Sequence, residues 1–232
     1  MNSHLGWNIT GWVVAACLSA EMLGYLLHRL LHSGRIRFLS RSHMKHHMVL
    51  YGPLQQQRSA KYHDATDDEV SLGNIGLEWL LPAALLLLVV AGVFHLLQVR
   101  VLYQVIFLGT TLMWSFLLFS YLHDQMHVEG IWLTKVPGLK QWFLRARRLH
   151  DIHHWTLNDY GVMDKNFGIG FFLFDRLFGT LTAEPRPFNR DGYEAALKRF
   201  DTKHLDKENS NELEEMDAVQ GSCSKEAYRA QM

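Results

Sequence analysis

Two long apolar stretches, residues 77–97 and 101–122, are separated by only Gln98, Val99 and Arg100. The first of them carries the run LLPAALLLLVVAGVF. An earlier stretch, residues 7–31, is the first of the three in chain order and is interrupted by Glu21 and by histidines near its end. A helix rises ~1.5 Å per residue, so each stretch can cross a bilayer core of roughly 30 Å. A chain of 232 residues has too little protein to hide three such runs in a soluble core. The short gap between the last two predicts a tight helical hairpin. The expected fold is therefore all-α: an integral, multi-pass membrane protein with about three transmembrane helices and a helical cap on one side.

Lysine and arginine placement predicts which side. Arg29 lies near the end of the first stretch, and Arg35, Arg37, Arg41, Lys45, Arg58 and Lys61 lie between it and the second. Lys135, Lys140, Arg145, Arg147 and Arg148 follow the third, whereas no Lys or Arg precedes the first. The positive-inside rule puts the N-terminus outside and both basic regions in the cytoplasm. The formal net charge is +0, which gives no electrostatic case for nucleic acid as a partner. Cys17 lies in an apolar stretch and Cys223 in a polar one, so no structural disulfide is expected. No basic n-region or cleavage site marks a signal peptide. The expected division is a membrane catalytic domain over 1–185 and a polar, disordered tail over 186–232.

Ten of the fourteen histidines fall in four tight clusters. His28 and His32 are spaced H-x-x-x-H at the end of the first apolar stretch, and His123 and His127 repeat that spacing at the end of the third. His43, His46 and His47 are spaced H-x-x-H-H, and His150, His153 and His154 repeat it. Positions i, i+3 and i+4 share a helix face, so each cluster can aim two or three imidazoles at one point. Neutral imidazole suits Fe, Zn, Cu and Ni. Ten imidazoles exceed the need of one ion and fit two ions with about five ligands each. The order also repeats: an apolar helix ending in H-x-x-x-H, then R-x-H-x-x-H-H, from Arg41 in one half and Arg148 in the other. All four clusters fall on the predicted cytoplasmic side.

The stretch Glu21-x-x-x-Tyr25-x-x-His28-Arg29-x-x-His32 resembles the opening signature of the fatty acid hydroxylase/sterol desaturase superfamily of membrane di-iron enzymes. The two H-x-x-H-H clusters follow in that family's order. Asp164-Lys165-Asn166-Phe167-Gly168 is similar to its Asn-Tyr-Gly element, and Phe174-Asp175-Arg176-Leu177-Phe178-Gly179-Thr180 to its Trp-Asp-Arg-Leu-Phe-Gly-Thr close. Phe167, Phe174 and Glu21 depart from the usual Tyr, Trp and Asp while keeping the chemical type. The resemblance spans roughly residues 20 to 182. It implies two iron ions, O2 as oxidant, a membrane lipid as substrate, and an external electron donor of ferredoxin, cytochrome b5 or reductase type. Hydroxylation of a fatty acyl or sterol-type lipid is the leading expectation, and desaturation at the same site is the alternative. Zinc is expected to compete for the site on purification, because raw affinity does not favour Fe2+ over Zn2+.

Four further residues are candidates for work behind the ligands. Glu21 is an acid within a membrane segment, which is a functional position by default. It is expected to accept an N–H from an imidazole on another helix. Asp124 sits inside a histidine cluster, as does Asp151, and Asn166 is either a ligand-orienting group or a turn former. The aromatic stretch 167–178 is amphipathic and suits the membrane interface. His63 reads as a surface-loop residue, with work behind the ligands as the alternative, His95 near the outer hairpin reads as structural, and His4 and His204 read as incidental. A membrane zinc hydrolase would need H-E-x-x-H, and neither His-Arg-Leu-Leu-His nor His-Asp-Gln-Met-His supplies the glutamate. A non-catalytic membrane metal-binding protein is the remaining alternative from another class.

Overall fold

The computed structural model describes residues 3–62 and 77–200. They are helical, with no strand among them and two isolated backbone bridges, Arg58 with Val128 and Leu157 with Met163. Helix α1 is Ser3–His32 and α2 is Arg37–Lys45, which runs on into a π-helical turn, His46–Leu50. Helix α3 is Leu77–Leu96 and α4 is Val101–Ser115. The α4 helix continues through a π-helical stretch, Phe116–Leu122, and a last α-turn, His123–Met126. Helices α5 (Pro137–Trp155), α6 (Leu173–Leu177) and α7 (Arg190–Phe200) complete the chain order.

Among the described residues, two helical segments are long and apolar enough to cross a membrane, Asn8–His32 and Val101–Met126. The apolar part of α3 described in full, Ala83–Leu96, is shorter. Their outward faces are apolar rather than polar: Leu18, Met22 and Leu26 on α1, and Leu112, Met113, Phe116 and Leu117 along α4, are all exposed. A soluble protein rarely presents so continuous an apolar surface, and acyl chains would cover it. The expected hairpin joins α3 to α4, with Val99 N–H donating to Phe94 O at 2.9 Å and Gln98 in a left-handed turn. Trp12 of α1 packs on Phe94, Tyr103 and Phe107 at ring separations of 5.5, 5.6 and 6.0 Å, tying all three helices at that end.

At the other end α1 and α4 run side by side toward their histidines. Gly24 makes that approach possible, because the Phe119 ring occupies the space a β-carbon would need. One buried cluster, including Leu118, Leu122, Met126, Phe143, Leu149 and Phe172, joins the end of α4 to α5. A second, including Met44, Met48, Trp155, Met163, Tyr193 and Phe200, joins α2, the end of α5 and α7.

Helix α7 corrects the expected boundary at residue 185. Tyr193 and Ala196 are fully buried and Phe200 nearly so, which makes 190–200 part of the core rather than of a solvated tail. The hydrophobic period of this short helix was hidden among Arg190, Asp191, Glu194, Lys198 and Arg199. Residues 201–232, with His204 and Cys223, lie outside the described residues, as does His63. Gly161 seats α7: its φ is +66°, and a β-carbon there would collide with the backbone of Ala196 and Gly192. Gly161→Ala adds left-handed strain to that overlap, so a loss of about 2–4 kcal/mol is expected. Faster cleavage by protease within 186–200 is the readout, and an unchanged digestion pattern would contradict it.

Candidate metal centre

The ten clustered histidines come together from four segments. His28 and His32 leave the end of α1, and His43, His46 and His47 follow on α2 and its π-turn. His123 and His127 leave the end of α4, and His150, His153 and His154 lie on the last turns of α5. All ten side chains are buried except that of His46, which is partly so. His46, His123, His127, His150 and His154 form one set, and His28, His32, His47 and His153 form another, with the ligand atoms of each set within 4.8 Å of one another. His43 joins the second set, its Nε2 lying 3.0 Å from His32 Nε2 and 3.1 Å from His47 Nε2.

The two sets are five and five, and they interlock. Each H-x-x-H-H segment gives its first and last histidine to the set of its own half and its middle histidine to the other. His46 thus stands with His127, Nε2 to Nε2 3.1 Å, and His153 with His32 at 2.9 Å. Matching contacts have matching lengths. His127 to His150 is 3.1 Å where His32 to His43 is 3.0 Å, and His150 to His154 is 3.1 Å where His43 to His47 is 3.1 Å. The sequence repeat is therefore a pseudo-two-fold relation in space. His47 and His154 meet across it, with ring centroids 3.9 Å apart.

The backs of the rings are held by backbone. His127 Nδ1–H donates to Gln56 O at 2.8 Å and His154 Nδ1–H to Tyr51 O at 2.9 Å. His28 Nδ1–H donates to Phe167 O at 2.6 Å and His153 Nδ1–H to Lys165 O at 2.6 Å. This pattern also crosses over: the loop after the first H-x-x-H-H serves the second half's set, and the loop after the second serves the first half's. A ring that donates from Nδ1 has a bare lone pair on Nε2. His127 and His154 both do so, and His150 Nε2 sits 3.1 Å from each with at most one proton to offer. His123 Nε2 is buried with no hydrogen-bond partner at all.

Converging lone pairs of this kind repel unless a cation stands among them. Metal–imidazole bonds of ~2.1 Å at right angles place neighbouring nitrogens ~3.0 Å apart, and tetrahedral angles place them ~3.4 Å apart. The observed 2.9–3.1 Å matches the first geometry. Five nitrogens at such spacing suit a five- or six-coordinate ion better than a closed tetrahedral zinc site. Protonation does not compete at neutral pH on six of these rings. Burial first, and neighbouring imidazoles second, hold His43, His46, His47, His150 and His154 well below the usual histidine range. Burial lowers His153 to about 4.

Glu21 does not take the role expected of it. It is buried, but its polar neighbours are Trp114 and Asp175, and its Oε1 has no hydrogen-bond partner. It stands seven residues before His28, which is ~10 Å down the helix axis and beyond a carboxylate's reach. Glu21→Gln is therefore expected to keep full metal occupancy, measured by elemental analysis of purified protein. A drop of tenfold would restore the imidazole role.

Asn166 touches no imidazole either. Its Nδ2 donates to Leu149 O and Thr182 O, both at 2.9 Å, and its Oδ1 accepts Thr182 N–H at 2.8 Å. Its φ is +55°, in the left-handed region that Asn tolerates better than most residues. It works as a turn former that fixes the carbonyls on either side of it, Lys165 and Phe167. Asp124 does lie beside a ring, its Oδ1 3.7 Å from His123 Nδ1, too far for a hydrogen bond. Asp151 is buried and turned to Gln57 Nε2 at 3.3 Å, with burial raising its carboxyl to about 7.

Sequence reasoning missed the four carbonyl acceptors, since a backbone oxygen leaves no mark on residue type. It also gave no role to Asp175. Residues 13–180 match the family model described as fatty acid hydroxylase. No curated protein and no solved structure matches the chain. With nearly three quarters of its length covered, including every histidine of both sets, the chain belongs to the fatty acid hydroxylase family, within the fatty acid hydroxylase/sterol desaturase superfamily.

Proposed function

We propose that this chain is a membrane-bound di-iron oxidoreductase that hydroxylates a lipid C–H bond, using O2 and electrons from an external donor. The family and the histidine clusters point to a membrane oxidoreductase. The observation that carries the finer reading is the pair of five-histidine sets with nitrogens 2.9–3.1 Å apart. His28, His32, His43, His47 and His153 would hold one iron, and His46, His123, His127, His150 and His154 the other. Bound iron, with O2 and two electrons, supplies an oxidant strong enough to remove hydrogen from an unactivated C–H bond.

The protein's own part is placement and protection. The carbonyls of Tyr51, Gln56, Lys165 and Phe167 accept imidazole N–H groups, which fixes each ring and raises its basicity. Burial of the sets keeps bulk water from the centre. The apolar outer faces of α1 and α4 lead from the lipid toward the histidine-bearing ends, so an acyl or sterol-type substrate can reach the site without crossing water. The topology proposed is three spans, α1, α3 and α4, with the N-terminus outside and the histidines on the cytoplasmic side.

The test is anaerobic reconstitution with Fe2+, followed by exposure to 18O2 with a reductant and membrane lipid. Two irons per chain and one 18O atom in a lipid hydroxyl are expected. A new double bond without 18O would make the enzyme a desaturase. Metal binding without O2 consumption would make it a non-catalytic metal protein.

A further inference from the structure

A shallow cavity of about 120 Å³ lies away from the histidines, between α5 and the segment that leads through α6. Its walls are Trp142, Phe171, Phe172 and Leu181, and Arg145 and Arg176 stand at its edge. Both arginines are exposed, and neither makes an ion pair or a side-chain hydrogen bond among the described residues. The nearest acid in sequence, Asp175, is fully buried and committed to Phe167 N–H, Gly168 N–H and the Thr180 hydroxyl. Two guanidinium groups are thus left uncompensated beside one small aromatic-walled recess.

The recess adjoins the apolar belt. Phe171 stacks on Trp114 of α4 at 6.2 Å and 12° and packs on Trp142 at 5.7 Å. Trp142 Nε1–H donates to Gly170 O at 3.2 Å, fixing that wall. Phe172 holds a left-handed φ of +54°, a costly conformation for such a side chain. It turns the chain so that Phe172 is buried while Phe171, Leu173, Leu177 and Phe178 stay exposed. Trp132 is also exposed and donates its Nε1–H to Tyr121 of α4 at 2.9 Å. Such Trp–Tyr pairs at the end of an apolar helix mark the headgroup level. An exposed apolar row with free arginines beside it is the arrangement of an interfacial lipid contact.

We propose that Arg145 and Arg176 bind the phosphate headgroup of an anionic phospholipid in this recess, with the lipid's chains lying over Phe171, Leu173 and Leu177. The arginine fork suits phosphate, and its weak hydration suits a half-dry interface. This lipid is a fixed annular ligand of the fold and not the oxidised substrate. The proposal rests on the chain sitting in a membrane but on neither the metal nor the reaction, and the assay reads neither.

The experiment is native mass spectrometry of detergent-purified full chain titrated with phosphatidylglycerol, phosphatidylcholine or inorganic phosphate. The wild type is expected to retain one phosphatidylglycerol with about tenfold preference over phosphatidylcholine. R145Q/R176Q should lose that preference. R148Q should keep it, because Arg148 donates to Ala183 O from elsewhere on α5. Equal retention of both lipids by the wild type would overturn the proposal, whatever the variants do. An equal effect of R148Q would overturn it in favour of diffuse charge attraction. Displacement of the lipid by millimolar inorganic phosphate would assign the recess to a free anion.

Discussion

Replacing His46 by alanine is expected to empty the metal position of the other half of the chain. His46 lies next to His47 in sequence, yet its Nε2 is 3.1 Å from His127 Nε2, while His47 Nε2 is 3.1 Å from His43 Nε2. Loss of one nitrogen opens the coordination sphere, so metal content should fall from two ions per chain to about one. Removing a mere partner of a ligand costs roughly 10–100-fold, so loss of the ligand itself should cost turnover roughly 100-fold or more. The interlocking makes double variants decisive. His46→Ala with His150→Ala strikes one set twice and should leave one ion. His46→Ala with His47→Ala strikes both sets and should leave none, although the two residues are neighbours. Elemental analysis separates these outcomes. If the adjacent pair keeps one ion and the distant pair keeps none, the sets are assigned wrongly.

Much of this centre is legible in the sequence, and for a physical reason. A metal position needs several donors of one chemical type at helical spacing, and ten clustered histidines in a repeated order carry that information openly. The division into five and five was only a count, because nothing in H-x-x-H-H says that its middle ring crosses over. That crossing depends on how α2 and α5 face each other, and only packing sets it. Glu21 was misplaced for a similar reason. An acid in a membrane segment does not reveal its own height, and ~10 Å along the axis separates Glu21 from His28. Helix α7 was missed because charged residues on its outer face outnumber the few that bury it. The apolar stretches were plain from composition, and the hairpin from a three-residue gap.

Asp175 carries the second large expectation. It lies in the stretch Phe174–Thr180 that resembles a family close, and its carboxylate is fully buried. Oδ1 accepts Phe167 N–H at 2.8 Å and the Thr180 hydroxyl at 2.7 Å, and Oδ2 accepts Gly168 N–H at 2.6 Å. The Thr180 hydroxyl also lies 3.2 Å from Tyr25 OH on α1. The same residue Phe167 offers its carbonyl to His28 Nδ1–H at 2.6 Å. Asp175 therefore positions a ligand through one peptide unit without touching it. Hydrogen bonds to a charged group contribute ~1.5–3 kcal/mol each and do not add fully. Asp175→Ala leaves two buried N–H groups unpaired and should cost about 3–5 kcal/mol. Asp175→Asn keeps one oxygen acceptor and should cost about half as much. A purely structural role would lower the melting temperature and leave both metal positions equal. The positioning role predicts an asymmetry. In a His46→Ala background, where the remaining ion sits with His28, Asp175→Asn should release it. In a His153→Ala background, where the remaining ion sits with His123, the ion should stay. Equal retention in both backgrounds would reduce Asp175 to a scaffold residue.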